Sequence, residues 1–259
     1  MADLVEYEMH GNVALLRMND PDTLNAMTLA MGEALIAGID RAEVEARAIV
    51  LTGAGRGFCS GANLTAGGID LTDPERDMGG QLETLLNPLF LRMIGSRLPL
   101  VTAVRGPAAG IGCGYALAGD LIVAGESAYF FQAFAKIGLV PDGGSTWLLT
   151  KAIGRPRAME MMLLGNRVDA ATALDWGMIN RVVPDDAVEA TALELASQLA
   201  AGPASLAAIK RLAWAAADAG IEDALRAERE GQRDAGRTAD FLEGVAAFRD
   251  KRPPAYTGR

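Results

Sequence analysis

Two stretches decide how this chain folds: Ala48-Ile-Val-Leu-Thr-Gly-Ala-Gly-Arg-Gly-Phe-Cys-Ser-Gly-Ala-Asn63 and Leu100-Val-Thr-Ala-Val-Arg-Gly-Pro-Ala-Ala-Gly-Ile-Gly-Cys-Gly114. Each enters a glycine-rich turn directly from a short apolar segment that shows no alternation. Such segments are strands buried on both faces, which calls for parallel neighbours with helices packed outside. Leu121-Ile-Val-Ala124 repeats the theme, leading through Tyr129-Phe-Phe131 to the turn Pro141-Asp-Gly-Gly144. The predicted architecture is α/β, built from stacked units. Two such turns can jointly offer bare backbone N–H groups to one oxygen atom, as a backbone oxyanion hole requires. The second turn runs into Tyr115-Ala-Leu-Ala118, where a helix is predicted to start with its dipole favouring developing negative charge. Carbonyl chemistry is thus one reading of the turns, and tight helix-strand packing is the other.

Working outward, Leu4 to Tyr7 and Val13 to Met18 form a predicted hairpin about His10-Gly-Asn12, and Asn19-Asp-Pro-Asp22 is a turn. Met27, Met31, Ala34, Leu35 and Ile39 follow at helical spacing. The Gly/Asp-rich stretch from Thr65 to Gly80 can bury little area and is expected to form a mobile surface flap over a site. From Arg155 onward the pattern is mostly helical. Asp169 is expected to cap a short helix ended by Gly177, and Ile179 to Val183 reads as a last strand. Helices are predicted over 185–201, 203–217 and 221–234, punctuated by Gly202, Gly220 and Gly236. Residues 1–200 are expected to form the core and residues 201–259 a helical region that packs on neighbouring subunits.

Composition excludes several classes. The chain has 259 residues, half of them hydrophobic, enough for one large core. A net charge of -9 without any Lys/Arg block argues against nucleic acid as a partner. No uninterrupted apolar run approaches the ~20 residues of a membrane span. With two cysteines, Cys59 and Cys113, and no signal-peptide pattern at Met-Ala-Asp-Leu-Val-Glu, the expected location is cytoplasmic. His10 is the only histidine, so histidine triads and most zinc sites lack a part, and no metal is expected.

Five ordered segments carry a resemblance: Asn19-Asp-Pro-Asp-Thr-Leu-Asn-Ala-Met27, the first turn from Ile49 to Leu64, the second from Val104 to Gly114, Gly138-Leu-Val-Pro-Asp-Gly-Gly-Ser-Thr146, and Phe248-Arg-Asp-Lys-Arg-Pro-Pro-Ala-Tyr256. Together they resemble the crotonase (enoyl-CoA hydratase/isomerase) superfamily over nearly the whole chain. The resemblance implies a spiral of ββα units, a C-terminal helical trimerisation region, acyl-CoA thioesters as ligands, and a homotrimer or dimer of trimers. It implies no cofactor beyond the coenzyme A of the substrate. The positions matching the family's oxyanion donors are the backbone N–H groups of Ala62 and Ile111. Main-chain contacts to coenzyme A are implied for Thr23, Leu24, Ser60 and Ala62, with Asn63 and Gly110 beside them. Asp22 stands where the family often has a basic residue, and Lys251 or Arg252 is offered as the phosphate partner instead.

The departures narrow the chemistry. The two glutamates of the hydratases fall on Gly114 and Phe134, neither of which can handle a proton. Asp142 remains, at a position where some members carry their working carboxylate. The surrounding sequence looks most like the epoxyphenylacetyl-CoA isomerase group. A carboxylate facing an apolar pocket has a raised pKa, which suits a base that takes a proton at one carbon and returns it at another. The bland reading of Asp142 is a turn former. The resemblance thus implies an acyl-CoA isomerase using Asp142, Ala62 and Ile111. The alternatives are a hydratase or thioester hydrolase using another acid, and a non-catalytic acyl-CoA-binding homologue; Glu83, on a helix after the flap, is a candidate second acid group at the pocket. Asp120 reads as a turn or cap, the cysteines as inert packing, and the aromatics near the third turn as pocket or core.

Overall fold

The computed structural model describes residues 3–63 and 72–259. Strands β1 (Val5–His10), β2 (Val13–Met18), β3 (Ala48–Gly53), β4 (Leu100–Val104), β6 (Leu121–Gly125) and β9 (Arg181–Val183) form one sheet in the order β1-β2-β3-β4-β6-β9. Only β1 runs antiparallel to its neighbour; the other pairs are parallel. A smaller sheet pairs β5 (Pro107–Ala109) with β7 (Tyr129–Phe131) in parallel, and β7 with β8 (Arg167–Asp169) antiparallel.

Both faces of the large sheet are covered, as the unbroken apolar strands require. Val13, Leu15, Ala48, Val50, Val101, Ala103 and Val123 face one way, onto Val188, Ala192, Leu195 and Ala196 of helix α6 (Val188–Ala200). Their neighbours Ala14, Leu16, Met18, Ile49 and Leu51 face the other, onto Met31, Leu35 and Ile39 of α1 (Leu29–Glu45) and Leu89 and Met93 of α2 (Asn87–Gly95). Each fully buried Leu, Ile, Val or Met here contributes about 1.5 to 3 kcal/mol. Thr28 caps α1, its hydroxyl accepting from the Met31 N–H at 3.1 Å.

Some boundaries differ from the sequence reading. His10 lies inside β1, opposite Val13, its ring exposed beside Glu8. The last strand begins at Arg181 rather than Ile179, because Asn180 ties itself to Ile122 with its N–H (3.1 Å) and its side-chain oxygen (2.7 Å). Helix α3 (Ile111–Leu117) begins within the second glycine turn. Helix α4 (Ser145–Leu164) is broken at Gly154, where φ is 75°, just before Pro156. Asp169 does cap α5 (Ala170–Asp175), accepting from the Thr172 N–H at 2.7 Å. The first part of the expected flap, residues 65–71, lies outside the described residues; Thr72–Asp77 is exposed.

Beyond the last strand, α7 (Ser205–Ala216), α8 (Ile221–Ala235) and α9 (Ala239–Asp250) follow. Asp120 does more than turn the chain. It accepts from the Leu100 N–H (2.8 Å), the Trp214 indole N–H (2.9 Å) and the Lys210 ammonium (2.9 Å), so it docks α7 on the sheet. Lys210, itself buried, also donates to the Met93 and Leu98 carbonyls, and such a pair costs several kcal/mol if one partner is removed. Trp214 stacks on Trp147 of α4 at 5.8 Å. Between α7, α8, α9 and the tail runs an open groove of about 920 Å³, lined in part by Ile209, Leu225, Phe241 and Phe248.

Candidate active site

The fold lays the two glycine turns side by side. Cys59 bridges Ala108 in parallel, its N–H donating to Pro107 at 2.9 Å while its carbonyl accepts from Ala109 at 2.9 Å. Gly110 has φ of 53°, a left-handed conformation suited to glycine, and a Cβ built on it would lie 3.9 Å from the Gly61 Cα. Ala62 and Ile111 directly follow this pair. A second bridge joins Met27 to Ala62, using the Met27 N–H to Gly61 (2.7 Å) and the Asn63 N–H to Met27 (2.9 Å). The Ala62 N–H lies outside that bridge, and Ile111 is the first residue of α3, where an N–H has no helical acceptor. Among the described residues neither N–H takes a backbone acceptor in a turn, cap or bridge. Ala62 is exposed, whereas the Ile111 side chain is buried.

The third turn closes on the same place. A Cβ on Gly143 would lie 3.2 Å from the Ile111 Cα, and the Phe90 ring packs against Gly144. Asp142, the residue before Gly143, therefore belongs to the turn that packs on the start of α3. One of its carboxylate oxygens, Oδ1, is buried with no hydrogen-bond partner. Burial pushes its pKa up to about 6, against a smaller opposing pull from its own backbone N–H. The buried Tyr115 phenol, which donates to the Leu86 carbonyl at 3.1 Å, is raised chiefly by burial, with the nearby Asp142 carboxylate adding to the effect.

Neither position onto which the resemblance maps the hydratases' glutamates carries an acid, and the first has no room for a side chain. A Cβ on Gly114 would stand 2.1 Å from the Gly143 carbonyl oxygen, so the Asp142 turn occupies the space a side chain there would need. Phe134 packs its ring tip 3.4 Å from the position of a Gly110 Cβ. Glu83 is exposed, on a wide π-type turn at Leu82–Leu86 that precedes α2. Both cysteines are buried thiols, Cys59 pushed up to about 11 and Cys113 to about 12 by burial, and are uncharged at neutral pH.

Thr23, Leu24 and Ser60 are brought together. The Ser60 N–H donates to the Leu24 carbonyl at 3.0 Å, and its hydroxyl donates to the Thr23 carbonyl at 2.8 Å. Asn25, to which the sequence reading gave no role, fixes this loop. It is wholly buried, accepts from the Asp20 N–H, and donates to the Ala54 and Gly57 carbonyls at 3.0 and 2.8 Å. Its left-handed φ of 57° is a conformation that Asn tolerates, which was the available signal. Lys251 stands apart as the left-handed cap of α9, and Arg252 is engaged by Glu243 at 2.6 and 2.9 Å.

A family model for enoyl-CoA hydratase/isomerase matches residues 8–259. The 1,2-epoxyphenylacetyl-CoA isomerase of Escherichia coli is 42% identical over 262 residues, covering 100% of both chains. A probable enoyl-CoA hydratase of Rhodobacter capsulatus is also 42% identical, over 98% of each chain. The crystal structure of an enoyl-CoA hydratase from Bacillus anthracis superposes with a TM-score of 0.91 at 26% identity, covering 99% of this chain and 100% of that one. The chain belongs to the enoyl-CoA hydratase/isomerase family and has the crotonase fold. Among the described residues no group of three His, Cys, Asp or Glu is placed to hold a metal ion, and no single helix is long and apolar enough to cross a membrane.

Proposed function

We propose that this chain is an acyl-CoA isomerase that moves a proton along the acyl group through a thioester enolate. The carrying observation is the bare, buried Oδ1 of Asp142, in the turn whose next residue, Gly143, packs on Ile111 at the start of α3. In this reading the thioester carbonyl accepts hydrogen bonds from the Ala62 and Ile111 N–H groups. The Asp142 carboxylate takes a proton from one carbon, and the electron pair left behind is delocalised onto the carbonyl oxygen. The resulting carboxylic acid returns the proton at a second carbon, shifting the double bond or rearranging the acyl group, and the carboxylate is regenerated. A pKa near 6 leaves the base ionised yet strong enough to act at neutral pH. Losing one oxyanion donor costs about 3 to 4 kcal/mol in the transition state.

Isomerisation is favoured over hydration because neither position at which the resemblance places the hydratases' glutamates offers an acid: Gly114 has no room for a side chain against the Gly143 carbonyl, and Phe134 is apolar. Coenzyme A is assigned to the loop pair Thr23-Leu24 and Ser60 to Asn63, with Gly110 beside them. The Thr23 and Leu24 carbonyls each keep a second lone pair beyond the one Ser60 uses. Lys251 meets the phosphates only if the adenine end reaches the end of α9. Residues 201–259 are proposed as the oligomerisation region, in a trimer or dimer of trimers, with the apolar groove between α7 and α9 covered by another copy. The test of the activity is incubation with a panel of enoyl-CoA and aryl-CoA thioesters in heavy, oxygen-labelled water, read by mass spectrometry. Deuterium gain without added oxygen is expected. Oxygen incorporation defeats the isomerase reading, and binding without any turnover leaves an acyl-CoA-binding homologue.

A further inference from the structure

Gln132 lies in the chain between the two arms of the site. It follows β7 directly and is wholly buried. The preceding carbonyl, that of Phe131, accepts from the Gly110 N–H at 2.8 Å and so holds the entry to α3, where Ile111 begins. The Gln132 side-chain amide donates to the Ser145 hydroxyl at 2.9 Å. Ser145 is itself 1% exposed and is the first residue of α4; its own N–H returns to the Asp142 carbonyl at 3.0 Å, closing the turn that carries the carboxylate. Two consecutive residues thus tether the oxyanion arm by main chain and the carboxylate arm by side chain. The other end of the amide, Oε1, is buried without a partner. An unsatisfied buried carbonyl costs about 1 to 3 kcal/mol, so an apolar residue of the same shape would serve a purely packing role better.

We propose that Gln132 is a positioning residue, whose hydrogen bond to Ser145 fixes the Asp142 carboxyl relative to the α3 amide. It rests on the reading of Asp142 as the proton-transferring base. A carboxylate with no hydrogen bond on Oδ1 is not oriented by a direct partner there, so its aim depends on the turn that bears it. A misplacement of about 1 Å at the reacting atoms can cost on the order of 100-fold in rate.

The test uses the full chain and an enoyl-CoA thioester that it turns over, with isomerisation and solvent-deuterium exchange as readouts. Gln132→Met keeps the volume and removes the hydrogen bond. It is expected to lower kcat roughly 10- to 100-fold with KM within about twofold of wild type. Placed on Asp142→Asn it is expected to slow the enzyme no further, because the two act through one carboxyl group. Ser145→Ala, which removes the acceptor instead, is expected to give the same pattern and serves if Gln132→Met does not fold. An unchanged kcat in folded Gln132→Met or Ser145→Ala overturns the tether alone, as does an undiminished extra loss on top of Asp142→Asn. Full activity in Asp142→Asn itself overturns both the tether and the base it serves.

Discussion

Asp142 and Asp240 are both largely withdrawn from water, and the chain treats them in opposite ways. Asp240, 2% exposed at the start of α9, accepts from the N–H groups of Ala204 (2.8 Å), Thr257 (2.8 Å) and Gly258 (2.9 Å), and from the Thr257 hydroxyl (3.3 Å). Burial alone would raise its pKa, but these donors outweigh it and hold the group below the usual carboxylate range. Asp142 has a buried oxygen with nothing to accept from, and its pKa rises instead. A carboxylate whose lone pairs are all taken can only anchor, here the C-terminal tail on α9 and the entry to α7. One left bare keeps acceptor capacity for a proton, at a cost in stability that only function repays.

That contrast can be broken most forcefully at Asp142. Asp142→Asn should lower isomerisation by roughly 10² to 10⁴-fold, the usual contribution of a general base, while leaving thioester binding by calorimetry near wild type. Asp240→Ala should do the reverse. Stability to urea should fall by about 3 kcal/mol, since several charge-assisted hydrogen bonds go at once, and activity per folded molecule should persist. Gly114→Ala sharpens the comparison, because its Cβ would have to displace the Gly143 carbonyl from a 2.1 Å approach. About 1 to 3 kcal/mol of overpacking is expected, together with loss of isomerisation and no gain of hydration in the labelled-water assay.

Much of the sheet and of the paired turns is legible in the sequence, whereas the role of Asp240 is not. The unbroken apolar runs Ala48–Thr52 and Leu100–Val104 predict a parallel sheet covered on both faces, and they lie in one. The two glycine turns, read as able to face one oxygen atom, lie side by side, joined by the Cys59–Ala108 bridge. The resemblance supplied Gly114 as an absent glutamate; that the Asp142 turn fills its space depends on a contact across 29 residues of chain, which no local pattern encodes. Asp120 was read too small for the same reason. Its partners Lys210 and Trp214 come from α7, and a sequence window sees only the turn. Gln132 and Asn25 escaped because a buried amide looks like any loop amide until its partners are known.

The smallest effect, and the most diagnostic, is on stability against pH. For Asp142 the folded pKa of about 6 exceeds the ordinary 3.8, so between those values the folded chain binds more protons than the unfolded one and stability from this group rises as pH falls. Above about pH 6 the buried carboxylate is ionised and costs roughly 1 to 3 kcal/mol, which Asp142→Asn should recover as a higher urea midpoint. Titrated downward, the advantage of Asp142→Asn should shrink through pH 6 and vanish near pH 4, where wild type has protonated. Asp240, with a depressed folded pKa, contributes stability that is present above the ordinary carboxylate range and lost only as pH falls below it. The gap between wild type and Asp240→Ala should therefore stay constant over the same span. A midpoint gap for Asp142→Asn that does not change between pH 7 and 4 would mean that its carboxylate is as well solvated as any on the surface, and the distinction between the two aspartates would be lost.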